Sequence, residues 1–281
     1  MIVTRFAPSP TGYLHLGHAY AARFAHEAAR AADGRFLLRI EDIDAARCRP
    51  EYDAAILEDL SWLGLNWDGD VRRQSEHFDD YRTALARLDA LGVTYPCFCS
   101  RREIAAEIEA ANAAQHSPAG ALYPGTCRNR SASERTKRIA TGQPYAVRLD
   151  IAAATRLTGP LDWRDLDAGR IAARPERDIV IARRDTPTSY QLSVTVDDHL
   201  QGVTLVTRGL DLFAATHVQR LLQALLGYDA PDYRHHRLLT NEAGMRLSKR
   251  DGALSIRALR RAGATPDAIR AMSIAAIDPD R

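Results

Sequence analysis

The chain has 281 residues, 46% hydrophobic and 26% charged, with 38 basic against 36 acidic side chains for a formal charge of +2. This is the balance of an ordinary globular domain, and it excludes a disordered tail or a fibrous repeat. No uninterrupted apolar run exceeds four residues, against the ~20 that span a bilayer. No membrane partner is therefore expected. The N-terminus carries no basic segment followed by an apolar stretch, so no secretory signal is read there and a cytoplasmic location is expected. A charge of +2 is too small to mark a nucleic-acid partner by itself.

The predicted elements alternate from the start. Residues 1–6 read as a strand, residues 7–17 as a Pro- and Gly-rich loop, 18–32 as a helix and 35–41 as an apolar strand. Helices near 50–63 and 76–91 extend this to an α/β fold, a parallel sheet covered by helices. From Gly92 the pattern changes. Residues 94–178 hold Cys97, Cys99 and Cys127, a helix opened by a Ser100/Glu103 capping box, a loop over 117–126 and short strands such as 145–151. Alternation resumes with a strand at 179–182, a helix at 190–200 and a strand at 203–208. A further helix carries Val218, Leu221, Leu222, Leu225 and Leu226 as one apolar stripe. The division expected is 1–93 as the first half of the sheet domain, 94–178 as an insert, 179–240 as the second half, and 241–281 as a loop with a short helical segment. Within that last part, a helix is capped near Thr265-Pro266.

Two short motifs carry chemistry. His15-Leu16-Gly17-His18 follows the first strand and opens a helix, whose N-terminal N–H groups and dipole favour anions. Gly17 lets a ring or phosphate approach the backbone. Alone, this tetrapeptide is equally a capping or packing arrangement. The second motif, Arg246-Leu247-Ser248-Lys249-Arg250, supplies one of only two lysines, the other being Lys137, beside 36 arginines. Three clustered cysteines suit a soft metal such as zinc, closed by a fourth ligand into a structural site. On chemistry alone His116 is the more usual fourth ligand, because a phenolate adds charge and has a free pKa near 10. Cys48 is isolated and reads as structural. Between Arg128 and Arg138, five basic residues face one acid, Glu134; Arg128, Arg130 and Lys137 are candidate phosphate contacts on a segment that equally reads as a solvated loop.

Together the two short motifs resemble the HIGH and KMSKS signatures of class I aminoacyl-tRNA synthetases, with Leu for Ile in the first and Arg at both ends of the second. Residues 5–12 (RFAPSPTG), 39–47 (RIEDIDAAR), Tyr190-Gln191-Leu192 with Asp197-Asp198, and Arg208-Gly209-Leu210-Asp211 are similar to the glutamyl and glutaminyl group. The matches run essentially the whole length. The resemblance implies a Rossmann-type sheet split by a zinc-containing insert, with His15, His18 and Lys249 catalytic. Pro8, Gly17, His15, His18, Ser248 and Lys249 would bind ATP, with magnesium. Arg5, Phe6, Ala7, Pro8, Ser9, Glu41, Tyr190 and Arg208 would line the amino-acid site. It also implies Tyr123, four residues before the last cysteine, as the fourth zinc ligand beside Cys97, Cys99 and Cys127.

Free glutamate has two carboxylates and one ammonium, so its pocket wants two cationic forks and one buried anion. Arg5, Arg208 and Glu41 fit, with a provisional split of γ-carboxylate to Arg5, α-carboxylate to Arg208 and ammonium to Glu41. Only 32 residues follow Lys249, fewer than the roughly 50 of an added domain. The expectation is therefore the short branch of the family, which activates L-glutamate without tRNA and transfers it to queuosine in the anticodon of tRNA(Asp). The alternatives are a truncated glutamyl-tRNA synthetase charging the 3′ end, and a noncatalytic zinc- and RNA-binding module. A monomer is expected.

Overall fold

A computed structural model describes residues 1–100, 103, 123, 125–239 and 255–275. Strand β1 (Val3–Phe6) is buried along its whole length, as is β2 (Arg35–Ile40) after its first residue. Both are interior strands of a parallel layer, which is why they read as apolar runs rather than as alternation. Helix α1 (Leu16–Arg30) crosses between them and buries Ala19, Ala22, Ala25 and Ala29, small side chains that let it lie close to the sheet. Helix α2 (Pro50–Trp62) starts on Pro50 with Glu51 and Asp53 in its first turn, both favourable at the positive end of a helix dipole. Strand β3 (Arg72–Arg73) and helix α3 (Phe78–Ala90) complete the first half.

Next come β4 (Thr94–Cys97), α4 (Ala132–Ala140), β5 (Ala146–Leu149), α5 (Ile151–Thr158), β6 (Asp162–Asp165), β7 (Gly169–Ala172) and β8 (Ile179–Ala182). Helix α6 (Tyr190–Leu200), β9 (Leu205–Gly209), α7 (Phe213–Leu226), β10 (Asp232–His236), α8 (Ile256–Arg261) and α9 (Pro266–Ala275) follow. Helix α7 stops at Gly227, whose φ of 67° is left-handed. Thr265 caps α9 by accepting from the Ala268 N–H, as the Thr-Pro pair suggests.

β1 pairs parallel with β2 and β2 with β3; β9 pairs parallel with β10, and β10 with β6. The two halves meet where the Val3 N–H donates to Thr204 Oγ1 at 2.9 Å and the Thr204 N–H to the Val3 carbonyl at 3.0 Å. The layer therefore runs β3-β2-β1-β9-β10-β6. The chain winds outward from β1 in one direction and from β9 in the other, which makes the β1/β9 boundary a topological switch point where such sheets open a crevice.

Three strands fall outside the expected division. β8 does not resume the parallel sheet but pairs antiparallel with β5, closing the small sheet β4-β5-β8. Its sequence IVIA is a short apolar run, and such a run does not say which sheet it joins. Ile181 is fully buried in a core shared by α3, α5, α6 and α7. Conversely β6, expected within the insert, extends the parallel layer through Tyr233↔Asp165, with β7 as its hairpin partner. Trp163 anchors that hairpin against Val203, Val206 and Tyr233. Among the described residues no helix is long and apolar enough to cross a membrane.

Candidate active site

A pocket opens at the switch point. The C-terminal parts of β1 and β9 bring Arg5, Phe6, Thr207 and Arg208 to it, α1 brings His15, Gly17 and His18, and Glu41 and Tyr190 close the far wall. Of the residues expected to hold glutamate, Pro8 stands behind the wall, where its carbonyl accepts the Glu41 N–H at 3.0 Å. Ser9 lines an adjoining cavity on the other side of Glu41 and Tyr190. Ser248 and Lys249 lie outside the described residues, as does His116.

His15 and His18 are pocket residues and a cap at once. His15 is the N-cap of α1: its Nδ1 accepts the Gly17 N–H at 3.1 Å, while His18 Nδ1 accepts the His15 N–H at 3.2 Å. The rings lie 3.8 Å apart. With each Nδ1 accepting, the neutral ring carries its proton on Nε2, so each histidine is fixed as an Nε2–H donor. The capping and phosphate-donor readings of this motif are thus compatible. A Cβ on Gly17 would sit 3.0 Å from the His15 ring, so a larger residue here would press on the histidine that folds back over the backbone.

Behind the pocket lies a buried ionic network. Arg5 grips Asp198 through Nε (2.9 Å) and Nη2 (3.3 Å) and donates Nη1 to the Thr207 carbonyl. Arg39, fully buried in β2, donates to Asp198 (2.8 Å), Gln201 (3.0 Å) and Glu41 (3.3 Å). Asp197, also fully buried, receives Arg72, Gln74 and the Tyr81 hydroxyl. Burial would raise the Asp198 pKa, but Arg5 and Arg39 override it and hold it below the usual carboxylate range. Glu41 is pushed up, because its burial outweighs Arg39 and Arg5. Burial likewise raises the Tyr190 phenol, with Glu41 adding to it.

Arg208 differs from the other two arginines. It is buried, 6% exposed, and its partners are all neutral: Nη1 donates to Gln219 Oε1 at 2.7 Å, Nη2 to Thr216 Oγ1, and Nε to His235 Nε2 at 3.2 Å. Among the described residues it forms no ion pair. A buried cation with only neutral acceptors retains a field that attracts an anion into the pocket.

The three cysteine sulfurs converge as expected, all within 4.8 Å of one another, with Cys99 Sγ and Cys127 Sγ 3.4 Å apart. Tyr123 Oη is 3.5 Å from Cys97 Sγ and accepts the Cys127 N–H at 2.9 Å. Zinc–sulfur bonds of about 2.3 Å in a tetrahedron set ligand atoms about 3.8 Å apart, so these donors fit that ion. Burial alone would raise Cys127, but the Phe98 N–H, Cys99 and Arg130 bring its thiol down to about 7. The Arg148 guanidinium lies over the Tyr123 ring at 3.7 Å, a cation suited to an electron-rich phenol oxygen. The basic run nearby is partly paired: Arg128 with Asp178, and Arg130 and Arg138 with the single carboxylate of Glu134, so the segment stays net positive.

Sequence reasoning missed the supports. Arg39, inside the apolar strand RFLLRI, was a readable signal, since an arginine there demands buried acids, and the Asp197-Asp198 pair supplies them. Thr216, Gln219, His235 and Asp165 carry no local signature and emerge only from the fold.

A parallel sheet with a split second half and paired histidines at the first helix define the catalytic body of a class I synthetase. Residues 1–275 match the family of class I tRNA synthetases (E and Q), catalytic domain, and the chain belongs to that family. Within it, the chain is 49% identical over 278 residues to a Glutamyl-Q tRNA(Asp) synthetase of Rhodobacter capsulatus, covering 96% of this chain and 98% of that one. It is 44% identical to another of Nocardia farcinica, covering 95% of this chain and 82% of that one. A solved glutamate tRNA ligase from Elizabethkingia meningosepticum, in complex with its amino acid, superposes with a TM-score of 0.76 at 28% identity, covering 89% of this chain. The chain spans about half, 52%, of that longer protein.

Proposed function

We propose that this protein activates L-glutamate with ATP to glutamyl-adenylate, without tRNA, and transfers the glutamyl group to queuosine in the anticodon of tRNA(Asp). The observation that carries the first half is the state of the pocket arginines. Arg5 and Arg39 are held directly by Asp198 and Glu41, whereas Arg208 touches no carboxylate among the described residues and meets the buried Asp165 only through the imidazole of His235, so its guanidinium has no anion in direct contact on the pocket side. Glutamate, with two carboxylates and one ammonium, carries one negative charge; glutamine carries none.

The α-carboxylate loses its charge on adenylation, whereas the γ-carboxylate keeps it through the reaction. A permanent countercharge suits the γ-carboxylate, so Arg208 takes it, the reverse of the split first expected. Arg5, already paired with Asp198, offers its remaining N–H groups to the α-carboxylate. Glu41, with acceptor capacity beyond Arg39, takes the ammonium, and the arriving cation favours its ionised form. Tyr190 packs between them.

Attack of the α-carboxylate on the α-phosphate moves charge onto the phosphate oxygens and the departing pyrophosphate. The Nε2–H donors of His15 and His18 stabilise that charge, together with Lys249, and magnesium accompanies ATP as part of that substrate. No side-chain nucleophile is required. One structural zinc on Cys97, Cys99, Tyr123 and Cys127 would tie β4 to the 123–127 segment.

The acceptor reading is supported by the relatives whose length this chain nearly spans, which are named for it. In this reading the ring hydroxyls of queuosine replace the ribose hydroxyl as nucleophile. Glutamate-dependent exchange of pyrophosphate into ATP without RNA tests the activation step; its absence from pure enzyme contradicts autonomous activation.

A further inference from the structure

We propose that Asp165 and His235 are positioning residues for glutamate recognition, forming a relay in which Asp165 fixes His235 and His235 holds the Arg208 guanidinium toward the substrate carboxylate. The proposal rests on the reading of Arg208 as a glutamate ligand. His235 Nδ1 lies 2.7 Å from Asp165 Oδ2, and both side chains are almost wholly buried. On its other side, His235 Nε2 accepts from Arg208 Nε at 3.2 Å.

Only one tautomer satisfies both contacts. Arg208 has no acceptor atom, so Nε2 must carry the lone pair and Nδ1 the proton. Asp165, as an acceptor-only carboxylate, enforces this. Its other oxygen, Oδ1, accepts the backbone N–H groups of Asp167 and Ala168, both at 3.0 Å, in the turn between β6 and β7. The carboxylate therefore cannot rotate away. Trp163 and Phe213 flank the imidazole at ring separations of 5.8 and 5.1 Å. This explains the parallel pairing of β6 with β10 at Tyr233↔Asp165: the hairpin is built onto the sheet edge where its acid reaches the back of Arg208.

The pinned Oδ1 makes one substitution diagnostic. In Asp165→Asn the amide oxygen stays on the two N–H donors, so the amide nitrogen faces His235 Nδ1. The imidazole must then accept there and place its proton on Nε2, donor against donor with Arg208. The change is isosteric yet inverts the relay. Protonation of His235 has the same consequence at Arg208. The groups facing the ring are Asp165 from β6, Arg208 from β9, and Tyr233 and His236 from β10. Burial, with Arg208 and His236 adding to it and Asp165 opposing, keeps His235 neutral to lower pH than an ordinary histidine.

The test measures KM for glutamate and for ATP by pyrophosphate exchange, glutamate binding by calorimetry, and Tm, for wild type, Asp165→Asn, His235→Leu and His235→Gln. Asp165→Asn and His235→Leu are expected to raise the glutamate KM and Kd roughly 10- to 100-fold, the range for partners that orient a ligating group, with ATP KM changed less than about 2-fold. His235→Gln, which keeps a non-titrating acceptor at the Nε2 position, is expected to restore most of the affinity at neutral pH. It is also expected to lessen the fall of glutamate affinity with falling pH relative to wild type, the remaining loss following protonation of Glu41. Asp165→Asn and His235→Leu with glutamate affinity within about 2-fold of wild type overturns the relay, as does an equal rise in both KM values that tracks a lower Tm. Calorimetry reads the relay even if exchange fails, so failure of the relay and failure of the function reading give different results.

Discussion

Replacing Arg208 with Gln separates a charge kept for substrate from a charge kept for the fold. The guanidinium would hold a carboxylate through two charge-assisted hydrogen bonds, each worth roughly 1.5–3 kcal/mol, and an amide retains at most one neutral bond of about 1 kcal/mol. The net loss is about 2–5 kcal/mol, or roughly 30- to 5000-fold in kcat/KM for glutamate at 1.36 kcal/mol per decade. Stability responds differently. The substitution leaves up to three neutral acceptors, Thr216, Gln219 and His235, to find new partners, at about 1 kcal/mol each. It also releases the several kcal/mol of desolvation carried by an unpaired buried cation. The two nearly cancel, so Tm should move by no more than a few degrees. Arg5→Gln is the control, because it strands Asp198 in the interior beside Arg39. Breaking a buried pair costs about 3–5 kcal/mol, or roughly 10 °C of Tm for a chain of this size. Pyrophosphate exchange and calorimetric unfolding of both variants provide the comparison. If Arg208→Gln loses as much Tm as Arg5→Gln while keeping its glutamate KM, the charge argument is wrong.

Lys249→Ala should lower kcat for exchange ~100-fold, by analogy with loss of one preorganised donor; a rate within about 3-fold of wild type would remove Lys249 from the chemistry. Asp59, 1% exposed on α2, is pushed up to about 6 by burial, with Glu58 adding to it. Its neutral form suits the folded state, so its contribution is intact below the ordinary carboxyl pKa and lost as pH rises through about 6. Asp59→Asn should therefore stabilise the protein by up to about 3 kcal/mol at pH 7–8 and change little at pH 4; equal effects at both pH values would exclude this titration. Metal analysis of protein prepared without chelator should find about one zinc, released by Cys127→Ser and weakened more by Tyr123→Phe than by His116→Ala. Less than about half an equivalent in wild type, or release by the His116 change alone, counts against the assignment.

The parallel layer was legible because buried strands and amphipathic helices impose their own periods. VTRF and RFLLRI announce interior strands, and the 190–200 helix falls at the bounds its pattern indicates. The pairing of those strands was not. IVIA at 179–182 is equally good for either sheet, and its antiparallel place beside β5 is decided by tertiary packing of Ile181. The pocket followed the same divide. His15, His18, Glu41, Tyr190, Arg5 and Arg208 were legible through motifs that resemble the family's, and the two arginines with Glu41 also through the charges free glutamate requires. Whether an arginine is already neutralised is a fact of three dimensions: Arg5 is spent on Asp198, and Arg208 is not. His235 carries no local signature; only the arrival of Asp165 from a distant hairpin gives it a direction.

The central claim is most directly tested with labelled glutamate, ATP and purified enzyme on three RNAs: tRNA(Asp) with queuosine, tRNA(Asp) without it, and glutamate tRNA. The account predicts label only on the queuosine-containing RNA, retained after the 3′ terminus is removed. Label on glutamate tRNA that needs no queuosine and disappears with the 3′ terminus would contradict it.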